Sequence, residues 1–258
     1  MVKQEDINKD VERYSFSKLS SFNSCKYGYK LTYIDHIKGI GNCFSSYGSE
    51  IHSLMERYAK GELDLWSLLD AYKWEFDVAV PEKFPDSPFV KDMRKLYYDQ
   101  GVEFLKNFKG YPNYKILGVE QQFEIKIDDW LFNGVIDLIF EDENGKLIIQ
   151  DYKSKSSFKN KKEQAEYARQ LYLYSLYVKE KFNKYPDILR FYMFRKDTLI
   201  DIPFKIDGLH EALSWAKNTV DEIRFCWDYS PTCSEFFSQN LCNHRNHCKC
   251  KKYYGILC

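Results

Sequence analysis

Between Lys115 and Lys153 apolar and polar residues alternate with a period of two through three successive runs, KILGVEQQFEIKI, WLFNGVIDLIF and LIIQDYK. That period belongs to β-strands, because successive side chains of a strand point to opposite faces. The runs are separated by DD and by EDENGK with its Asn-Gly pair, so they predict a three-strand antiparallel meander. A long helical pattern, KKEQAEYARQLYLYSLYVKEKF, follows, then two strand candidates, ILRFYMFR and TLIDIPFKI, and a helix over HEALSWAKNTVDEIRF. Strands interrupted by helices of this length call for an α/β (α+β) fold in which a mixed central sheet is flanked by helices.

The chain before the meander has the other period. YSFSKLSSFNSCKYGYKLTYID places Leu19, Phe22, Tyr29 and Tyr33 at spacings near three or four and predicts one amphipathic helix. YGSEIHSLMERYAKG predicts a second, with Ile51, Leu54, Met55 and Tyr58 as its buried stripe, His52 beside the stripe and Gly61 as the stop. Helices over 64–76 and 88–108 fill the rest of this third, separated by the proline-bearing VPEKFPDSPF. The expected organisation is one integrated domain: a helical part over 1–110, a core over 111–226 and a cysteine-rich tail over 227–258.

With 258 residues, 44% of them hydrophobic, the chain has enough apolar surface for a core. Lys plus Arg total 38 and Asp plus Glu total 38, so no overall positive charge announces a nucleic-acid partner and any such footprint must be local. The charged start MVKQEDINKDVERYS has no apolar segment of a signal peptide, and no window approaches the length of a membrane span. The expected setting is reducing, cytoplasmic and without a membrane partner.

Two of the strands carry acids. In NGVIDLIF, Val135, Asp137 and Ile139 share one face; in LIIQDYK, Ile149, Asp151 and Lys153 do. Strand ends reaching solvent are the plain alternative. Two carboxylates converging from adjacent strands form a hard oxygen site for Mg2+ or Mn2+, and a lysine beside them can hold or polarise a water. Lys155, Lys159, Lys161 and Lys162 follow at once, either as a solvated loop or as a local track for DNA phosphates.

These motifs resemble the PD-(D/E)xK nuclease superfamily, in particular its RecB-like branch of helicase-nucleases, CRISPR-adaptation nucleases and phage exonucleases. GVIDLI is similar to the family's first acidic strand and DYKS to its second acid followed by lysine. GSEIHSLME resembles the helical histidine motif of the branch, which implies His52 as a metal ligand beside Asp137, Asp151 and the backbone carbonyl of Tyr152. QLYLY resembles the Gln-x-x-x-Tyr helix, which implies that Gln170 and Tyr174 brace Lys153 or contact the DNA backbone. Glu120 in GVEQQF falls where many members carry an acid. The resemblance runs from FSKLSSFNSC to the last cysteines, in family order, and implies a restriction-endonuclease-like core.

Eight cysteines are unevenly placed: Cys25 and Cys43 are early, and the other six lie from position 226 onward. In a reducing setting such crowding suggests metal ligands rather than disulfides. The resemblance implies a 4Fe-4S cluster joining Cys25, in FNSCKYGYKLTY, to cysteines of the C-terminal end, although Lys26 stands where the family usually has proline. Two ligand sets remain open: Cys25, Cys242, Cys248 or Cys250, and Cys258; or Cys25, Cys233, Cys242 and Cys248. Zn2+ is a rival, because His244 and His247 alternate with these cysteines.

The function implied is a metal-dependent DNA exonuclease of a bacterial or phage-infected cell, acting on DNA ends or single strands. Recombination or replication proteins would be its partners. The alternatives are a structure-selective endonuclease, or a catalytically silent DNA-binding or CRISPR-adaptation accessory module, against which the complete set Asp137, Asp151 and Lys153 argues.

Overall fold

The computed structural model describes residues 11–232 and 241–247. Six strands form one mixed sheet: β1 (Arg13–Ser15), β2 (Lys115–Ile127), β3 (Trp130–Glu141), β4 (Leu147–Lys153), β5 (Ile188–Met193) and β6 (Thr198–Pro203). Around it lie α1 (Phe16–Ser24), α2 (Lys26–Tyr33), α3 (Cys43–Ala59), α4 (Ser67–Ala79), α5 (Met93–Asn107), α6 (Lys161–Phe182) and α7 (Ile206–Arg224). The meander forms where the alternation predicts it, with β2, β3 and β4 antiparallel in sequence. Helix α6 then carries the chain across the sheet so that β5 runs parallel to β4, and β6 closes the edge antiparallel to β5.

Strand β3 is the hub. One edge pairs with β2 along its length, while the other is shared: β1 runs parallel along 131–133 and β4 antiparallel along 138–141. Residues 134–137 lie between those two stretches, with no strand neighbour on that edge among the described residues. Gly134, in this interval, allows Tyr174 of α6 and Phe123 of β2 to come close; a Cβ there would lie 2.8 and 2.9 Å from their rings.

Each face of the sheet is covered, as a mixed sheet requires. On one side Phe132, Ile149, Leu171, Phe191 and Val220 belong to a single core beneath α6 and α7. On the other, Tyr152, Tyr192 and Phe194 pack against Tyr47, Leu54, Tyr72 and Phe104 of the helical layer α3–α5. Each large side chain buried this fully contributes about 1.5–3 kcal/mol.

Two local features depart from the periodicity. The helix expected across residues 14–35 is two helices, because Cys25 is extended (φ −160°, ψ 106°). Its sulfur accepts from Gly28 N and so caps α2, replacing the carbonyl acceptor that a continuous helix would offer. Helix α3 begins earlier than expected, at Cys43, where the Asn42 carboxamide accepts from Phe44 N and Ser45 N and the Ser45 hydroxyl faces Asn42 N in a capping box. It ends at the expected place, with Gly61 at φ +77°.

Glu50 on α3 is buried with Oε1 unpaired, and burial, reinforced by Glu75, pushes its carboxyl up to about 7. The folded chain therefore holds this proton between about pH 4.3, the ordinary glutamate value, and 7, whereas the unfolded chain releases it. This group lowers stability as pH rises through that window. Glu50→Gln should flatten the dependence between pH 5 and 8 and raise the melting temperature at pH 8, at roughly 2–4 °C per kcal/mol. Thermal melts across this range check it; an unchanged slope would place the penalty elsewhere.

Candidate active site

Asp137 and Asp151 sit where β3 and β4 part. The last pair of their ladder is Leu138–Gln150, so the next residues outward are the two aspartates. Beyond it β4 continues along β5, pairing Asp151 with Phe191 and Lys153 with Met193. The Tyr152 N–H, which has lost its strand partner, donates instead to Asp137 Oδ2 at 2.8 Å. A side chain thus completes the ladder and fixes one carboxylate at the opening.

Both acids are shielded: Asp151 is 3% exposed and the Asp137 side chain 12%. Burial first, and the neighbouring Asp151 second, hold the Asp137 carboxyl well above the usual carboxylate range. Lys153 Nζ lies 2.7 Å from Asp151 Oδ2, off the direction of a hydrogen bond, so this oxygen has a neighbouring charge but no donor. The lysine donates to Gln170 Oε1 at 3.1 Å, and Gln170 Nε2 donates to the Tyr174 hydroxyl at 3.1 Å. Gln170 and Tyr174, one turn apart on α6, thus form a chain of hydrogen bonds that ends on Lys153.

His52 enters from α3. Its Nε2 is 2.8 Å from the Tyr152 carbonyl, which only accepts, so Nε2 carries the proton. Burial pushes the imidazolium pKa down, which keeps the ring neutral at pH 7 and leaves Nδ1 as a lone pair. That lone pair is 3.5 Å from Asp137 Oδ2: two acceptors face each other with no proton between them. The Tyr152 carbonyl, expected to be a metal ligand, accepts from His52 Nε2 and so orients the histidine.

The group that sequence reasoning left uncertain is Glu120. The flanking pairs Val119–Leu138 and Gln121–Ile136 put it directly across from Asp137 on β2. Its backbone turns to φ +45°, a left-handed conformation uncommon for a residue with a Cβ and strained inside a strand. Its carboxylate comes together with His52 Nδ1 and Asp137, all ligand atoms within 4.8 Å of one another. Burial, then Asp137, pushes the Glu120 carboxyl up to about 7. The register signalled this position, but no residue type in GVEQQF signalled the positive φ.

These donors fit a divalent cation. His52 Nδ1, Glu120 and Asp137 offer a lone pair and carboxylate oxygens, and Asp151, whose Oδ2 accepts no hydrogen bond and faces Lys153, lines the same cleft. A cation there would offset the burial and the mutual repulsion that raise the Asp137 and Glu120 carboxyls.

The cleft at these residues, about 500 Å3, is lined also by Gly48, Ser49, Ser53 and Ser154. Lys153 and Gln170 form a wall shared with a larger cavity of about 1150 Å3 bounded by α1, α2, β2, β3 and residues 241–244. Of the lysines read as a phosphate track, Lys155 is engaged, 2.6 Å from Glu163 and bonded to the Tyr167 hydroxyl at 3.3 Å. Lys159, Lys161 and Lys162 are exposed.

Cys25 and Cys242 both line the larger cavity. Each sulfur accepts a backbone N–H at 3.4 Å, from Gly28 and His244 respectively. Cys233, Cys248, Cys250 and Cys258 lie outside the described residues. Among the described residues Cys25, Cys242 and His244 do not gather into a three-ligand set, and His244 Nε2 is 2.7 Å from the Thr32 hydroxyl. No described helix is long and apolar enough to cross a membrane.

A family model of the PD-(D/E)XK nuclease superfamily matches residues 13–252. Among solved structures, a Eubacterium rectale protein assigned as an exonuclease is similar in fold, with a TM-score of 0.53 and 15% identity, covering 100% of this chain and 95% of its own. A second, SSO0001, is 17% identical over 97% of this chain and 89% of its own, with a TM-score of 0.41. No curated protein matches the chain significantly.

Because the carboxylates must lose their protons to bind a cation, apparent Mn2+ affinity should rise with pH through about 7. Glu120→Gln should weaken binding by about tenfold or more and make that rise shallower. Calorimetric titrations at pH 6, 7 and 8 measure both, and an unaltered pH slope in the variant would remove Glu120 from the site.

Proposed function

The chain belongs to the PD-(D/E)XK nuclease superfamily, and on that premise we propose that it is a Mg2+- or Mn2+-dependent DNA exonuclease with a structural iron–sulfur cluster. The observation that carries the catalytic reading is the parting of β3 and β4, which brings Asp137, Asp151, Glu120, His52 and Lys153 to one cleft.

His52, Glu120, Asp137 and Asp151 would hold the cation. When bound, it polarises a phosphoryl oxygen and acidifies an attacking water. Hydrolysis adds that water across a P–O bond: the water loses a proton and the departing sugar oxygen gains one. Lys153, held by Gln170, directs N–H groups at the cleft and so orients the water or stabilises charge developing on the phosphate. His52 is neutral, so it adds a ligand without repelling the cation. Exposed Lys159, Lys161 and Lys162 would bind phosphates outside the cleft, and Lys155, engaged by Glu163, would contribute less. An end-directed reading is supported by the larger cavity, which shares the Lys153–Gln170 wall and so offers a strand room beside the cleft.

The cluster would be held by Cys25 and Cys242 together with two cysteines of the C-terminal end, Cys248 or Cys250 and Cys258, or Cys233 and Cys248. Supporting it, the two described sulfurs line one cavity and accept backbone N–H groups, which stabilise thiolate charge. A Zn2+ alternative would use His244, whose Nε2 the Thr32 hydroxyl engages while its buried Nδ1 has no hydrogen-bond partner. The role would be structural, tying α2 to the C-terminal end.

In a Mn2+-dependent assay on labelled linear and closed circular DNA, Lys153→Ala should lower cleavage by about 10²–10³-fold and Lys155→Ala by less than about tenfold. Equal activity of wild type and Lys153→Ala would reject the catalytic assignment, and cutting of closed circles would make the enzyme an endonuclease. Anaerobically purified protein should be coloured and contain about four irons per chain. A colourless protein with stoichiometric zinc would replace the cluster by zinc.

A further inference from the structure

The strand that carries Asp151 also reaches a separate cavity on its other face. Gln150 precedes Asp151 on β4, and strand alternation sends its side chain the opposite way. There it lines a space of about 140 Å3 bounded by residues 107–114, β5 and β6. No residue of this space lines the catalytic cleft or the larger cavity. Gln150 is 2% exposed, and its Nε2 has no hydrogen-bond partner. A buried amide donor seldom stays in that state without something bound to it.

Charge does not select the occupant. Arg190, 8% exposed, already holds Asp201 through two bonds, Nε to Oδ1 at 2.6 Å and Nη2 to Oδ2 at 2.8 Å. The Tyr192 hydroxyl donates to Asp197 Oδ1 at 2.5 Å. Lys109 is exposed, so an anion would meet no buried, unmatched cation here.

Rings and shape do select it. Phe108, Tyr111, Tyr114 and Tyr192 supply four aromatic walls. Tyr111 and Tyr114 are 20° from parallel, Phe108 stands at 77° to Tyr111, and Phe140 backs Tyr114 at 4.5 Å. The wall comes in closely because Gly110, at φ +73°, has no Cβ; one would lie 2.2 Å from the Tyr58 hydroxyl. Four or five waters, at about 30 Å3 each, would fill the volume, but ring faces give them few partners. A flat ring with a donor and an acceptor on its edge suits the space better: its faces pack on the aromatic side chains, and its edge satisfies the carboxamide. Among nucleobases, adenine pairs with a glutamine carboxamide through two bonds, Nε2 donating to N7 and Oε1 accepting from the 6-amino group.

We infer that this cavity binds the adenine base of a nucleotide, with Gln150 reading N7 and the 6-amino group. The choice of a nucleobase among flat rings rests on the nuclease reading, because hydrolysis of DNA releases nucleotides at this protein. Beside the cavity the Tyr111 hydroxyl meets that of Tyr152, whose N–H holds Asp137. A bound base therefore adjoins the strand that carries the catalytic acids.

Calorimetric titration of the full chain with deoxyadenosine, in EDTA and without DNA, reads this binding apart from cleavage. The wild type should bind saturably at one site per chain. 7-Deazadeoxyadenosine, which lacks the N7 acceptor, should bind at least about tenfold more weakly. Gln150→Leu should weaken deoxyadenosine binding at least about tenfold and abolish the difference between the two nucleosides. Its melting temperature should not fall, because the change removes an unpaired buried amide; if it does fall, the two nucleosides compared on the wild type still decide. No saturable binding, equal affinity for the two nucleosides, or affinity indifferent to Gln150→Leu in a folded variant would overturn the inference. With neither metal nor DNA present, those outcomes leave the Lys153→Ala cleavage test untouched, and failure of that test leaves the binding result standing.

Discussion

The bond from Tyr152 N–H to Asp137 Oδ2 is the small constraint on which the site depends. Antiparallel strands that stay paired bury their edges in each other and leave no opening. Here β4 must remain on β5 while β3 departs toward β1, and the gap would strand an amide. By accepting that amide, the Asp137 carboxylate makes the parting tolerable and is itself fixed at the mouth. Asp151, one step past the last strand pair, is carried into the same opening by β4.

Once the two aspartates are placed, the surroundings follow from charge. Burial, and then the neighbouring Asp151, hold the Asp137 carboxyl high, and the groups packed around it do not add to that repulsion: a neutral histidine with its Nδ1 lone pair inward, and a lysine drawn 2.7 Å from Asp151. Glu120 runs against this, since it brings a third carboxylate to the cleft through a strained φ of +45°. A strained acid beside two crowded acids is unfavourable for folding alone, which is what a site shaped around a divalent cation entails.

The helical layer serves two ends. Its inner faces build the core that presents His52. Its edge is joined to the described C-terminal residues by bonds between separate parts of the chain: Ile40 N–H to the Asn243 carbonyl at 2.7 Å, the Arg245 guanidinium to the Gly41 carbonyl at 2.9 Å, and Thr32 to His244. These contacts bring Cys242 toward the cavity that Cys25 lines, whatever the sulfurs bind.

Periodicity alone determined the meander, the long helix and the alternation that puts Asp151 and Lys153 on one face, because those depend on local side-chain direction. The motif resemblance added His52, Gln170 and Tyr174; the structure brings His52 and Gln170 to the same cleft and leaves Tyr174 behind Gln170, on the larger cavity. Three things were decided only in three dimensions. Cys25 breaks a helix through a capping bond, which its spacing could not show. Arg13–Ser15 becomes a strand because the lower half of β3's edge is free, a vacancy created by residues more than a hundred positions away. Glu120 joins the site because strand register aligns it with Asp137 and its backbone turns inward, whereas the Tyr152 carbonyl turns to His52. A sequence carries the residue types and their local period; which acceptor is left facing which depends on where unpaired backbone groups find partners, and that is settled only by the assembled sheet.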